Sequence, residues 1–317
     1  MGLFRREPKR DPRDAPRDAA FEFLSEDEGR RLRGLTREAF AERGLEVTVF
    51  ADHMTDSANR HYNLYNLAAS CHNDERGRRA WESLIHDHVD KLVRAMEAPS
   101  AVETLPADEL WARLYPRLTA ADNLPDDPGF GYAIVPAPGL RQVLALDLPE
   151  SVQTLPIDAL TRLGDLAELR LRAMNNLRAL PIEDHDIVKQ DDGAQFRMVM
   201  GDSFFTSSRV LVLDELAERI TGKAVGPYGA LVAMPYRHLL AFHPIAGPDV
   251  LPSLNALATF AAYRYEEAPG PVSPYVYWWR AGRLVQLSER SEDGLAIVVG
   301  PEFQEVLERL LGDDGGI

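Results

Sequence analysis

The 317-residue chain is short of cysteine and lysine, and each shortage narrows what it can be. Cys71 is the only cysteine, so no intramolecular disulfide forms and a secreted disulfide scaffold is excluded. Lysine occurs only at Lys9, Lys91, Lys189 and Lys223, leaving arginine to carry nearly all positive charge. With plentiful Ala, Pro and Gly, that bias reads as GC-rich bacterial coding. Lys and Arg total 35 against 50 Asp and Glu, a formal net charge of −15. Phosphate attraction needs clustered positive charge, so this balance argues against nucleic acid or an anionic membrane as partner. No apolar run reaches the roughly 18 residues that a membrane-spanning helix needs. Met1–Ala20 lacks an apolar signal core, and Arg6 occupies the Ser/Thr position of a myristoylation motif. The expectation is a cytoplasmic protein. Also missing are a Walker A lysine loop, Gly-x-Gly-x-x-Gly, His-Glu-x-x-His and Cys-x-x-Cys, so no cofactor or metal is expected.

What is present is ordinary for a globular protein. Hydrophobic residues make up 45% and charged residues 27%, too apolar for a largely disordered chain. At roughly 150 residues per domain the length allows two domains. Residues 1–19, with Pro8, Pro12 and Pro16 among mixed charges, read as a disordered tail, and 312–317 as a second one. Ser25 and Glu28 have capping-box spacing, with Leu32, Leu35 and Ala39 as an apolar stripe behind them. Strands are expected at Leu45–Phe50 and His61–Leu67, a turn at Asp52–Asn59, and a helix over Arg79–Met96. Hairpins are expected near 132, 182, 230 and 275, each followed by a helix, around turns such as Asp191-Asp192-Gly193 and Ala281-Gly282. Short hairpin connections imply antiparallel pairing. The fold class is therefore α+β, with recurring hairpin–helix (ββα) units, mainly antiparallel sheets and two subdomains. These are 20–105 and 106–311, with Pro106–Pro128 as the seam.

Four segments, Arg113-Leu114-Tyr115-Pro116, Asn176 to Pro181, Ser208-Arg209-Val210-Leu211 and Val232-Ala233-Met234-Pro235, resemble in order and separation the YtpQ-like family of bacterial proteins. The resemblance covers about Ala80 to Leu287. It implies a cytoplasmic bacterial α+β protein and carries over no catalytic residue. The Arg/Pro tail and the strand and helix after Ser288 depart from it.

Several constellations invite chemistry. His53, His61, His72, His86 and His88 share a stretch with Cys71, residue types that zinc uses. Their spacing argues against a shared ion, since His86 and His88 point some 200° apart on a helix. His88 falls on the apolar stripe and His86 on the solvent face. Asp202 and Ser203 follow a strand as a hydrolase nucleophile does, yet no Asp-x-x-His lies downstream, and helix capping explains them equally. Asp184 and Asp186 share a strand face, a pattern known from Mg²⁺ sites but more simply a solvated turn. Tyr275, Tyr277 and Trp279 lie on an aromatic strand that is either core or a binding surface. The leading expectation is a non-enzymatic interaction module, adaptor or immunity-like, for a protein partner of basic character. The alternative is a hydrolase drawing on Asp202, Ser203, Ser208, Arg209 and His238.

Overall fold

The computed structural model of the protein describes residues 16–291 and 294–312. The chain divides into two compact units, Met1–Glu97 and Ala98–Ile317. The expected seam at Pro106–Pro128 is therefore displaced, and 1–15 and 313–317 of the expected tails lie outside the described residues.

In the first unit the order is α1 (Glu26–Glu42), β1 (Val47–Val49), β2 (His53–Asp56), β3 (His61–Asn63), α2 (Tyr65–Asn73) and α3 (Trp81–Glu97). Ser25 and Glu28 form the complete capping box, which satisfies otherwise orphaned N–H groups of α1. Leu32, Phe40, Met54, Trp81, Ile85 and Val89 close one apolar core. Strand β2 occupies the expected turn, and the second expected strand, His61–Leu67, is strand only over His61–Asn63, its last three residues being the start of helix α2. That helix starts without a side-chain cap at Leu64, so its sequence carries no start signal. The expected tail also ends too late. Asp18 is buried, accepts from the N–H groups of Ala20 and Phe21, and pairs with Arg33 at 2.5 Å.

The second unit contains α4 (Ala101–Thr104), α5 (Ala107–Ala112), β4 (Leu114–Ala120), β5 (Leu140–Leu148), β6 (Ser151–Thr154), α6 (Ile157–Leu163) and α7 (Leu166–Ala179). There follow β7 (Asp184–Lys189), β8 (Gln195–Met200), α8 (Leu213–Thr221), β9 (Ala230–Ala233), β10 (Leu239–Pro244) and α9 (Val250–Glu267). Last come β11 (Val276–Arg280), β12 (Arg283–Gln286), β13 (Ser288–Ser291), β14 (Gly294–Ile297) and α10 (Pro301–Leu311).

The hairpins expected near 182, 230 and 275 join one antiparallel six-stranded sheet, ordered β12-β11-β9-β10-β8-β7. One face packs on α9 and α10 through Leu231, Ala241, Val276 and Trp278. The other holds Val232, Phe242, Tyr277 and Trp279 against α8 residues such as Leu213 and Leu216. The remaining expected hairpin, near 132, shrinks to a single bridge between Ile134 and Gln142. β5 instead pairs along its length with β4, inside the expected seam, in a sheet ordered β4-β5-β6. Pro116 hid that strand, but proline is tolerated on an edge, and β4 is an edge. The helix expected over Phe205–Ile220 starts as a 3₁₀ segment, Ser207–Val212, and ends at Gly222 with φ +76°. A left-handed residue there favours glycine.

Candidate functional site

The turn between β9 and β10 lies beside the segment that enters the 3₁₀ helix, because the Ser207 N–H donates to the Arg237 carbonyl at 3.0 Å. This brings His238 close to Gly201, Asp202 and Ser203. It does not make a nucleophile and base of them. His238 Nδ1–H donates to the Gly201 carbonyl at 3.2 Å, and its Nε2 accepts from Arg237 Nε at 2.8 Å. Both ring nitrogens are occupied, and the imidazole is fixed as the neutral Nδ1–H form. Burial, and then the charge of Arg237, holds its pKa below the usual histidine value. Ser203 Oγ accepts from the Phe205 N–H, and the N–H groups of Asp202 and Ser203 donate to the Glu183 carboxylate. Asp202 and Ser203 thus order a turn, with the Asp202 side chain in solvent.

Ser208 and Arg209 are buried structural groups. Ser208 Oγ accepts from the Leu118 N–H at 2.9 Å, which ties the 3₁₀ segment to β4. Arg209 donates to the carbonyls of Leu180 and Pro181, where α7 leaves carbonyls unsatisfied. Hydrogen bonds join the first three segments of the family resemblance here, and Val232 and Met234 of the fourth share a core with Val210. Asn176 Nδ2 donates to the carbonyls of Trp111 and Leu114 at 2.7 and 2.8 Å, and the Pro235 carbonyl accepts from Val272.

The aromatic strand resolves towards core. Tyr277 is 0% exposed and Trp279 5%, so neither presents a binding surface, and Tyr275 is half-buried against the same core. The ladders to β9 and β12 occupy both edges of β11, and helices on either side of the sheet cover its two faces. Within the histidine stretch, His53 stacks on His61 at 4.9 Å and pairs with Asp52, and His72 lies against Phe23. His86, expected in solvent, is half-buried beside Glu42 and Arg43. Burial, then Asp74, pushes the Cys71 thiol up to about 12. Among the described residues no group of three or more His, Cys, Asp or Glu is placed to hold a metal ion, and no helix is long and apolar enough to cross a membrane.

A feature that the sequence indicated only through its acids is a groove of about 860 Å³ between α9 and the β7–β8 hairpin. Phe196, Met198, Val188 and Phe260 line it. Strand pairing sets Asp186 opposite Met198 and Asp184 opposite Met200, so both carboxylates share the face that opens on the groove. Asp192 lies in its lining. β7 is the terminal strand of the sheet and is exposed along nearly its whole length. Its Ile187 N–H donates to Asp186 Oδ1 at 2.7 Å.

No protein-family model, curated protein or solved structure matches the chain.

Proposed function

We propose that the chain is a cytoplasmic, non-enzymatic interaction module that seats a basic, extended segment of a partner protein on β7, in the groove against α9. The supporting observation is the coincidence of an open apolar groove with an exposed, acidic edge strand. An edge strand offers unpaired backbone groups to an added strand, and a groove beside it takes every second side chain. Asp192 in the lining, with Asp184 and Asp186 on the β7 face beside it, outnumber the one arginine of the lining, Arg264, and so favour positive charge, in keeping with the net charge of −15. They also oppose β7-to-β7 pairing of two copies, which would bring like charges together. Kinship with the YtpQ-like proteins is part of this proposal. It rests on the order and separation of the four segments, and it adds no activity.

The test uses a synthetic peptide alternating lysine and leucine, with its glutamate–leucine counterpart as control, and amide hydrogen exchange on the full chain. Binding of the lysine peptide alone is expected, with protection confined to β7 and α9. The Asp184→Asn/Asp186→Asn variant should weaken it about 5-fold, two exposed charge pairs at roughly 0.5 kcal/mol each. Protection elsewhere, or unchanged affinity in the variant, would overturn the proposal.

A further inference from the structure

Arg237 is held in an unusual way. A Cβ at Gly270 would come within 2.6 Å of Arg237 Cδ, so the side chain needs a glycine beneath it, and Gly270 has φ +75°. The guanidinium lies over the Phe204 ring at 4.0 Å, and Nε donates to the neutral His238. Glycine, ring face and imidazole fix three sides of the side chain. Among the described residues no carboxylate pairs with it, and Nη1 and Nη2 carry no hydrogen bond.

A second such group is nearby. Arg117 on β4 makes one hydrogen bond, from Nη1 to Thr154 Oγ1 at 3.0 Å, and likewise has no carboxylate partner among the described residues. Consecutive residues of one segment anchor the backbone at each of them. Ser207 N–H holds the Arg237 carbonyl, while Ser208 Oγ holds the N–H of Leu118, next to Arg117. Burial pulls the pKa of both guanidiniums down. Arg237 falls to about 10, with the charge of Arg117 adding to the effect of burial. Both side chains are part-buried, and two like charges brought near one another repel unless something neutralises them. Nothing within the described chain does.

We propose that Arg117 and Arg237 form a binding site for a dianionic phosphoryl group, supplied by inorganic phosphate or by a small phosphate monoester. Two guanidiniums match the charge of one dianion, and their planar N–H forks match its oxygens. A monovalent carboxylate would leave one charge unpaired. His238 is a positioning residue: its acceptor nitrogen sets the orientation of the Arg237 plane. The site stands apart from the groove at β7 and does not depend on it.

Isothermal titration and thermal melting of the full chain test this with sodium phosphate, phenyl phosphate and, at matched ionic strength, sodium chloride. Saturable binding of phosphate but not chloride is expected. Arg237→Met and Arg117→Met should each lower affinity roughly 30-fold, as expected for loss of a charge-assisted hydrogen-bonding partner. Arg237→Lys retains the charge and loses the fork. A drop of about 10-fold there, with an unchanged melting point in buffer, separates recognition from folding. Tighter binding of phenyl phosphate supports a monoester resting near Phe204, and equal binding supports free phosphate. Phosphate acting no differently from chloride, or undiminished affinity in both methionine variants, would overturn the site.

Discussion

The two units treat buried charge in opposite ways. In the first, each deeply placed acid is answered from within the chain. Asp18 has Arg33 and two backbone N–H groups. Asp56 has Arg60, the Tyr62 hydroxyl and the N–H groups of Ala58 and Arg60. Burial alone would raise both acids, but these donors hold them below the usual range, Asp56 at about 2. In the second, Arg117 and Arg237 are part-buried with no counter-charge among the described residues, and the buried Arg209 has only carbonyls. Internally answered charge staples a fold. Unanswered charge keeps an interaction in reserve for a ligand, at some cost to stability.

The largest effect that would sharpen this contrast is expected from Asp18→Ala. It leaves the half-buried Arg33 without its partner and strips the acceptor from the Ala20 and Phe21 N–H groups. The loss should be about 3 kcal/mol, within the range for breaking a buried pair. As the sole thiol, buried and raised to about 12, Cys71 reports opening of the first unit without any added label site. Its labelling midpoint in urea should fall well below that of the parent protein. An unchanged midpoint would mean that the pair does not act as a staple.

Whether such features can be read beforehand depends on how local their cause is. The Ser25–Glu28 box, the Ala281-Gly282 turn with φ of +48° and +80°, and the β7–β8 hairpin are fixed by neighbouring residues, and all were visible in the chain. β4 was not, because its partner β5 lies some 25 residues on and Pro116 argues against a strand unless the edge position is known. The site followed the same rule. Asp184 and Asp186 could be placed on one face by period alone, whereas the groove beneath them needs α9, more than 60 residues later. Arg237 passed unnoticed inside a Pro-Tyr-Arg-His turn, since its isolation from any carboxylate is a property of the assembled fold. His238 lies near Ser203, as the hydrolase alternative requires, but the Gly201 carbonyl and Arg237 claim the imidazole.

Acidification should expose the same asymmetry with an intermediate effect. Burial lowers the pKa of His238 and His243 in the second unit. Below the unfolded value near 6.5 the unfolded chain binds protons that the folded unit refuses. Stability is then lost at up to about 1.4 kcal/mol per pH unit for each histidine. In the first unit the depressed groups are carboxylates. Their contribution is complete above the unfolded value near 4 and disappears as pH falls through the folded value, about 2 for Asp56. Amide exchange at pH 7, 5 and 3 should therefore show protection falling in β10 and its neighbours before it falls in α1 and β2. The reverse order would break the comparison.

The smallest effect is the most discriminating, because its sign is unusual. Most substitutions of a partly buried, hydrogen-bonded residue destabilise. Arg237→Met removes the Nε donor to His238 but keeps a flexible chain over Phe204 and Gly270, and it removes a part-buried charge that repels Arg117. In phosphate-free buffer the balance should favour the variant by about 1 kcal/mol, as when buried charges give way to apolar groups of similar volume. In saturating phosphate the order should reverse, since the ligand stabilises only the parent protein. The crossing of the two melting curves with phosphate concentration is the signature of a charge held for a ligand. A variant less stable at every phosphate concentration would place Arg237 with Asp18, among the groups that serve the fold.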